Sequence, residues 1–540
     1  MKGIFALLLI FGSTLFYFCA LQKYPSSNNI LATYPDAFQF LWNIWWLKER
    51  VAEFGNSIHY SDYIFWPFGS RLYLHTLTEG LLLPAAILLK DFTIADIFNL
   101  VIIFCFVTNG ISAYALFYIF SKNFWLSLVL SLAFSFHPFF LGHLEGGHLN
   151  FLGFFPAPLA IAAALSVSGK KILFLLAATL VGYLTVINLY YFYFIALFGI
   201  LTALVLVLSA PFVAQKEKKI FYSLGIRFTL IIVLAMLFAS PYLINVSKDT
   251  LSGNFQENHS AEIHSARLIN FIEREKLYFF SKPRQAIAGS ASELNSAERG
   301  LYIGFSLLIL VGSLLWRSKS SQTLYLFSSS LMFFILALGP IIKLSGNVFF
   351  TNYIWQLFAE HLPFFPSVPA RLAIFGELLL MLTICRLARE ISLKKNYLIF
   401  WLFLILIEFF PQKSPTMQLP ISPLLNNIKE LKLDALYDIS SSQDLALLNQ
   451  TVHETPIVHG NISRKPKAAL AFYRKNKFIK YLDGKISFLE GAIFKDYKAL
   501  AIEGLIVSSV DEKRLELAGQ IPWLQAKYQD NLITLFVEKG

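Results

Sequence analysis

The feature that most constrains this chain is a series of long apolar runs, each roughly 17 to 25 residues long, with charged residues clustered between them. A helix of that length crosses about 30 Å of hydrocarbon and satisfies all of its backbone hydrogen bonds within itself. Hydrophobic residues make up 56% of the 540 residues and charged residues only 15%, and the alternating ten-residue strands of a porin are absent. The sequence therefore predicts an integral membrane protein of helical type and excludes both a soluble enzyme and a porin.

The runs, taken in order, predict about eleven transmembrane helices. The first run ends in Cys19-Ala20 and also has the pattern of a cleavable signal peptide, an alternative that the sequence leaves open. The predicted spans lie near residues 3–20, 95–119, 123–138, 151–168, 172–188, 190–210, 224–245, 300–316, 323–342, 370–386 and 396–411.

The basic residues predict how these spans are oriented. A net charge of +11 would suggest nucleic acid as the partner of a soluble chain. Here Lys2 and the basic residues of the short loops between alternate pairs of spans all fall on one side, and such residues resist translocation. The N-terminus and these loops are therefore predicted to be cytoplasmic, and nucleic acid is not a predicted partner. The basic loop residues are Lys122, Lys170, Lys171, Lys216, Lys218, Lys219, Arg317, Lys319, Arg386, Arg389, Lys394 and Lys395.

Two domains are predicted, with a boundary in Pro411-Gln-Lys-Ser-Pro415. Residues 1–411 form an all-α polytopic membrane domain whose outer loops are 21–94, 139–150, 246–299 and 343–369. Residues 412–540 hold 17 Lys or Arg and 14 Asp or Glu, so charged residues are about twice as frequent there as before the boundary. Runs at 505–510 and 532–537 predict strands, while 495–503 and 511–519 predict helix or turn. The tail is thus predicted to be a small α+β extracytoplasmic domain.

In the first outer loop, Asp36 follows Pro35 and begins an amphipathic helix. The apolar face of this helix includes Trp45 and Trp46, which are predicted to lie in the membrane interface. Asp36 has two interpretations: an N-cap that only stabilises the helix, or a catalytic carboxylate held at the lipid surface.

The densest group of polar residues lies between the third and fourth predicted spans, at residues 137–150. Its side chains are able to ligate a divalent cation or to act as acid and base. The alternative is a tight turn whose polar groups satisfy the backbone, and Gly146-Gly147 disfavours the regular helix that a Glu-x-x-His metal pair needs. The candidate residues here are His143, Glu145, His148 and Asn150.

Three more ionisable residues and one loop attract attention. Arg71 and Arg371 are placed to hold a phosphate by charge-assisted hydrogen bonds, or to reach the lipid headgroups as ordinary interfacial arginines. Glu377 lies within a predicted span, where a carboxylate either pairs with another helix or marks an ion path. Residues 286–297, rich in Ser, Ala and Gly, predict a mobile loop that closes over a site.

Several short motifs stand beside this architecture: Tyr34-Pro-Asp36, Trp45-Trp46, Trp66-Pro-Phe-Gly69, Gly147-His-Leu-Asn150, Pro369-Ala-Arg371, and in the tail 448–453 and Gly460-Asn-Ile-Ser-Arg464. With one span before a long acidic first loop, about eleven spans and an outer tail, the chain resembles the GT-C superfamily of membrane glycosyltransferases. The motifs resemble a largely uncharacterised set of bacterial members.

The resemblance implies transfer of a hexosyl or pentosyl sugar from a polyprenyl-phosphate donor to an acceptor glycan, lipid or protein, with inversion, at the outer face of a bacterial inner membrane. It implies that Asp36 is the general base. Many members have a paired acidic motif where this chain has one acid, so Glu145 or His148 would supply the partner. Arg71 and Arg371 would bind the donor phosphate, and the substrate-binding residues would be His143, Asn150, Trp45 and Trp46.

The resemblance leaves the metal open, because some relatives bind a divalent cation and others do not. If Mg²⁺ or Mn²⁺ is bound, Asp36, Glu145 and His148 are the expected ligands.

The alternative function is a lipid-linked saccharide flippase or another transporter, which Glu377 and the many helices suggest. Transporters gather polar groups near the middle of the membrane and are often built from repeats. Here no repeat is evident and nearly all polar groups fall in the outer loops. A membrane scaffold that uses the tail is a third class, but it leaves the polar segment 137–150 without a purpose.

Overall fold

The computed structural model describes residues 2–20, 28–165, 171–209, 215–256, 260–273, 298, 300–318, 320–344, 348–362, 365–391, 393–411, 415–440 and 442–539. The loop predicted at 286–297 lies outside these residues. Helices dominate the described part of the chain before the tail. They are α1 (Lys2–Leu15), α2 (Ala37–Trp45), α3 (Glu79–Leu88), α4 (Ile94–Ser121), α5 (Phe124–Ser135), α6 (Pro138–Gly146), α7 (Pro156–Leu165), α8 (Lys171–Ile187), α9 (Leu189–Ser209), α10 (Gln215–Phe238), α11 (Ser240–Leu251), α12 (Phe305–Leu315), α13 (Ser321–Ala337), α14 (Tyr353–His361), α15 (Ala373–Ile391) and α16 (Lys395–Glu408).

Every predicted span coincides with a helix or with a bent pair of helices. Within the described residues, three helices are long and apolar enough to cross a membrane: Lys2–Cys19, Ile94–Ser121 and Phe124–Gly146. A fourth span results if Gly225–Phe238 and Ser240–Leu251, which meet at an angle of 76°, count as one. Six further apolar helical stretches of the described residues are 10 to 17 residues long, among them Leu189–Thr202 within α9. Eleven crossings therefore stays a prediction.

Helix α15 lies at the centre of the bundle. Its residues from Ala373 to Cys385 are all buried, and it packs against α4, α12 and α13. A helix that is apolar on all sides needs such a position, because each face requires an apolar partner. The short 3-10 turn Pro369–Leu372 leads directly into α15, so the position of Arg371 is fixed by this buried helix.

The segment 139–150, which the sequence predicts to be a loop, is mostly helical. Helix α6 continues almost directly from α5 and ends at Gly147, whose φ of +75° closes the last turn. A 3-10 turn, Leu149–Phe151, follows. The Gly-Gly pair ends the helix before His148, so Glu145 and His148 do not share one regular helix, and the position of this segment outside the membrane stays a prediction.

The tail combines helices with a four-stranded sheet. Its elements are β6 (Met417–Gln418), α17 (Leu424–Glu430), β7 (Leu436–Ile439), α18 (Gln443–His453), α19 (Lys467–Lys475), α20 (Lys477–Leu482), α21 (Glu490–Leu500), β8 (Gly504–Ser508), α22 (Glu512–Gly519), β9 (Leu524–Gln529) and β10 (Ile533–Glu538). The sheet order is β7-β8-β10-β9, with β7 parallel to β8 and the other pairs antiparallel. Strands β8 and β10 and helices α21 and α22 coincide with the four elements predicted for the tail.

Five short strands lie before the tail: β1 (Asn29–Ile30), β2 (Tyr60–Ser61), β3 (Ser70–Arg71), β4 (Ile341–Lys343) and β5 (Val348–Thr351). Strand β1 pairs antiparallel with β6 and so connects the first predicted outer loop to the tail. Strands β2 and β3 form a hairpin in the first predicted outer loop, and β4 pairs with β5 before α14.

Helix α2 is buried on all sides, which differs from the predicted interfacial helix. One side packs on α4 and the other is covered by α18 of the tail. Trp42, Trp45 and Trp46 are each at most 2% exposed, and the rings of Trp42 and Trp46 stack with their centroids 5.7 Å apart. The prediction that Trp45 and Trp46 lie in the membrane interface is therefore wrong, because a helix from the far end of the chain covers them instead of lipid.

Gln450 of α18 holds the tail against α2. Its side-chain oxygen accepts a hydrogen bond of 2.7 Å from the indole N–H of Trp42. Its side-chain nitrogen donates to the carbonyls of Tyr63, at 2.6 Å, and Thr455, at 2.9 Å. Replacing Gln450 would remove these partners from the indole N–H of Trp42 and from the carbonyl of Thr455.

We expect Gln450→Leu to destabilise the docking of the tail by about 2 to 3 kcal/mol, since each buried group left unpaired costs about 1 to 3 kcal/mol. Limited proteolysis in detergent should then release the tail faster than in the wild type. Gln525→Leu, at an exposed position of β9, is the matched control and should leave the cleavage rate unchanged. Equal rates for the two variants would contradict this account of the interface.

Candidate functional site

A cavity of about 1430 Å³ lies where helices α8 to α11 meet the tail. One end is polar and is built by loops, by the turn before α15 and by the segment of the tail before α19. The polar residues that line this end include Asp36, Gln39, His75, His148, Asn150, Arg371, Asn461, Ser463 and Arg464. The cavity therefore brings together residues from the first quarter of the chain and from its last.

The other end of the cavity is apolar and descends between α8, α9 and α10. Ile200, Val233 and Met236 line it and are also 42 to 43% exposed at the surface of the bundle. An apolar wall that is open on a bundle surface is suited to a hydrocarbon chain rather than to water. Polar and apolar halves thus follow one another within a single cavity.

Asp36 occupies the N-cap position of α2, but its side chain forms no capping hydrogen bond. Its Oδ2 instead accepts from Nε2 of His148 at 2.9 Å. About half of the side chain, 52%, is exposed to the cavity, whereas 13% of the His148 side chain is exposed. The carboxylate is held by one firm contact and still has an oxygen available to a ligand.

His148 connects Asp36 to His143 inside α6. The Nδ1 atoms of the two rings lie 3.1 Å apart. An ionised carboxylate only accepts, so with Asp36 ionised the proton of a neutral His148 is on Nε2 and its Nδ1 is an acceptor. His143 then donates from Nδ1, and its Nε2 faces Glu298 Oε2 at 4.0 Å. These contacts fix the orientation of the Asp36 carboxylate.

Two backbone features bring His148 to Asp36. A Cβ on Gly147 would lie 2.6 to 2.8 Å from atoms of Ala37, including its backbone nitrogen. Only a glycine permits this approach, and its φ of +75° also favours glycine. In addition, the backbone oxygen of Glu145 accepts from the backbone nitrogens of Thr33, at 2.9 Å, and Tyr34, at 3.3 Å. The end of α6 and the start of α2 are therefore joined by main chain.

Glu298 and Arg371 form a buried ion pair beside the two histidines. Glu298 Oε1 accepts from Nε and Nη2 of Arg371 at 2.8 and 2.6 Å. The guanidinium also lies 4.2 Å from the ring centroid of Phe151 and 5.0 Å from that of Tyr190. Burial alone would raise the pKa of Glu298, but the positive charge of Arg371 holds it at about 2.

His143, His148 and Glu298 form a group able to hold a metal, since one ligand atom from each lies within 4.8 Å of the others. Two imidazoles and a carboxylate suit Zn²⁺ better than Mg²⁺, which prefers oxygen ligands. Arg371 already occupies one oxygen of Glu298, so the residues fit a cation only in part. Glu145, which the sequence placed in the ligand set with Asp36 and His148, does not belong to this group.

Only some of the other predicted residues line the large cavity. Asn150 lines its polar end. Glu145, Trp45 and Trp46 do not line it, and Arg71 lines a second, smaller cavity instead. Glu377 is buried in α15 and is not among the residues that line either cavity.

The tail supplies residues that sequence analysis gave no role. Asn461, Ser463 and Arg464 line the polar end of the cavity. Asp444 at the start of α18 accepts from Asn461 at 2.6 Å. Burial raises the pKa of Asp444, and the negative charge of Asp36 raises it further, so a second carboxylate stands near the first. The motif Gly460–Arg464 was the available signal, but the sequence did not indicate that it reaches Asp36.

The fold is similar to those of known membrane glycosyltransferases. The chain superposes with a TM-score of 0.52 on the mycobacterial arabinofuranosyltransferase AftD, over 99% of this chain and 41% of that one, at 13% identity. It superposes with a TM-score of 0.50 on the oligosaccharyltransferase of Archaeoglobus fulgidus in its apo form, over 94% of this chain and 69% of that one, at 11% identity. This chain therefore spans less than half the length of AftD. No family model and no curated protein matches the sequence.

Arg371→Ala should strongly destabilise the protein, by about 3 to 5 kcal/mol, because it leaves Glu298 as a buried carboxylate without its cation. The double variant Arg371→Ala/Glu298→Gln should recover part of this loss, since it removes the charge as well. Thermal unfolding in detergent at pH 7 measures both, with the exposed Arg317→Ala as the control.

The pH dependence has a defined sign. Because the pKa of Glu298 falls from 4.5 to about 2 on folding, its ionisation stabilises the protein fully above about pH 4.5, and this contribution is lost as the pH falls toward 2. If Arg371→Ala/Glu298→Gln is no more stable than Arg371→Ala at pH 7, the stabilising ion pair between Arg371 and Glu298 is contradicted.

Proposed function

We propose that this chain, which has the GT-C fold, is a glycosyltransferase that moves a sugar from a polyprenyl-phosphate donor to an acceptor at the membrane surface. The observation that carries the proposal is the cavity itself. It joins a carboxylate held by a histidine, two arginines and an apolar groove. A sugar phosphate on a lipid carrier has complementary groups in the same order, namely a sugar, a phosphate and a hydrocarbon chain.

The donor binds with its hydrocarbon chain in the apolar end and its phosphate in the polar end. The groove between α8, α9 and α10 accepts the chain from the side, where Ile200, Val233 and Met236 are exposed. Arg371 and Arg464 line the polar end. The sugar then lies between these cations and Asp36.

Arg464 and Arg371 divide the binding of the phosphate between them. The positive charge of Arg371 is balanced by Glu298. Within the described residues, Arg464 forms no ion pair, and the hydrogen bond from its side chain goes to the carbonyl of Ser463. Arg464 therefore supplies uncompensated positive charge that attracts a phosphate. A divalent cation on His143, His148 and Glu298 would add positive charge near the same phosphate.

Asp36 acts as the general base. As an acceptor hydroxyl attacks the anomeric carbon, its proton passes to Asp36, and the bond from that carbon to the phosphate oxygen breaks. The leaving phosphate keeps the electron pair of the broken bond, and Arg464 and Arg371 stabilise its charge. Attack on the face opposite the phosphate inverts the anomeric carbon. His148 keeps the carboxylate oriented through the Nε2 contact at 2.9 Å.

Asp36→Asn tests the base directly. An amide keeps the shape but cannot take the proton, so kcat should fall by about 10²- to 10⁴-fold while folding and membrane insertion stay intact. The assay uses proteoliposomes with radiolabelled polyprenyl-phosphate sugars and membrane extract as the acceptor source. Asp62→Asn, an exposed acid of the same loop that lines neither cavity, is the matched control.

Transfer by Asp36→Asn at the wild-type rate would refute the role of Asp36. Label that crosses the bilayer of wild-type proteoliposomes without forming a glycosylated product would support a lipid-linked saccharide flippase instead.

Arg464→Gln should raise the KM for the donor by about 10- to 100-fold, because a hydrogen bond to a charged group contributes about 1.5 to 3 kcal/mol. The KM for the acceptor should change little. Donor titrations at saturating acceptor measure the KM for the donor. Arg474→Gln, at an exposed position of α19, controls for the loss of a charge in the tail. Equal changes in both KM values would reject a specific contact with the phosphate.

A further inference from the structure

A second cavity, of about 620 Å³, lies beside the first between the β2–β3 hairpin, the end of α11 and the start of α19. None of the residues that line it belongs to the apolar groove between α8, α9 and α10. It belongs to the face of the molecule where the tail meets the first predicted outer loop. We refer to it as the side cavity.

The side cavity and the large cavity share a wall. Asp249, Gly253, Phe255 and Lys467 line both. A ligand in the side cavity would therefore contact residues that also line the large cavity, but none that line the apolar groove between α8, α9 and α10.

The charge of the side cavity is positive. Arg71, Lys248 and Lys467 line it, against the single acid Asp249. Arg71 Nε binds Asp249 Oδ1 at 3.1 Å, and this pair is neutral. In the part of the chain that the structure describes, neither lysine forms an ion pair. Two uncompensated cations in a concave site attract an anion.

The side cavity also presents aromatic surface. Tyr60 is 46% and Phe68 is 43% exposed, and both line the cavity. The ring of Phe68 is fixed from behind by Phe472 and Tyr473 of the tail, with centroids 5.2 and 6.4 Å away. Rigid, exposed rings beside charged groups offer an apolar face together with polar anchors. An acidic sugar has both kinds of surface, namely C–H faces and an anionic substituent.

We propose that the side cavity binds the acceptor and that this acceptor is an anionic glycan, whose carboxylates or phosphates contact Lys248 and Lys467 and whose sugar rings pack on Tyr60 and Phe68. This inference rests on the proposed glycosyl transfer and adds to it the class of the acceptor. It gives Arg71 a place on the acceptor side, because its pair with Asp249 lies in the wall of this cavity.

Binding is measured in an Asp36→Asn background, so that the result does not depend on catalysis. The probes are tetragalacturonic acid and maltotetraose, an acidic and a neutral tetrasaccharide of equal length, titrated by calorimetry into protein in zwitterionic nanodiscs. Tetragalacturonic acid should bind, and the double variant Lys248→Gln/Lys467→Gln should weaken it by about 10- to 100-fold, as expected for two lost charge-assisted contacts. Maltotetraose should bind more weakly by a similar factor.

The control is Lys495→Gln/Lys527→Gln, which removes two exposed charges from the tail away from the side cavity. It should leave both affinities unchanged. Equal affinities for the two tetrasaccharides, or equal losses in the two double variants, would overturn the proposal while leaving the transfer reaction itself untouched.

A final arm separates a glycan from a lipid headgroup, since both carry anions. Nanodiscs with phosphatidylglycerol are compared with zwitterionic ones. If phosphatidylglycerol occupies Lys248 and Lys467 and thereby abolishes the binding of tetragalacturonic acid, the side cavity is a headgroup site and the proposal fails. Binding that survives in phosphatidylglycerol supports the glycan.

Discussion

The site depends above all on the close approach of Gly147 to the start of α2. Without a side chain at Gly147, the turn after α6 meets the backbone of Ala37, and the residues on either side, Asp36 and His148, come within hydrogen-bond distance. The main-chain bonds from Thr33 and Tyr34 to Glu145 hold the same junction. Glu145 thus contributes to the site through its carbonyl, whereas the sequence had suggested its carboxylate.

The tail is part of this arrangement and not an appendage to it. Gln450 bonds to both Trp42 and the carbonyl of Tyr63, which fixes α2 from the side opposite α4. The same docking brings Asn461 and Arg464 to the rim of the cavity. One interface therefore sets the positions of both Asp36 and Arg464, so that loosening the tail affects both.

Sequence reasoning located the helices well, because an apolar run of the right length has few alternatives in a membrane protein. It also selected His148, because polar residues are unusually dense at 137–150, Asp36, because it begins an amphipathic helix, and Arg371, because it lies at the start of a predicted span. It could not place Trp45 and Trp46, because the helix that covers them comes from the tail. Trp42 and Gln450, which form a hydrogen bond across this interface, are 408 positions apart in the sequence. Arg464 was missed for the same reason, since only the folded chain brings it to the cavity.

The ion pair with Glu298 explains how the guanidinium of Arg371 stays charged in a buried position. A bare guanidinium would be costly to bury, but Glu298 neutralises it and two aromatic rings flank it. Glu298 occupies Nε and Nη2 of Arg371, and a guanidinium has five N–H donors in total. Donors therefore remain for a phosphate without breaking the pair. In the proposed reaction, Arg371 orients the phosphate, while Arg464, which forms no ion pair with any of the described residues, adds net positive charge at the polar end of the cavity.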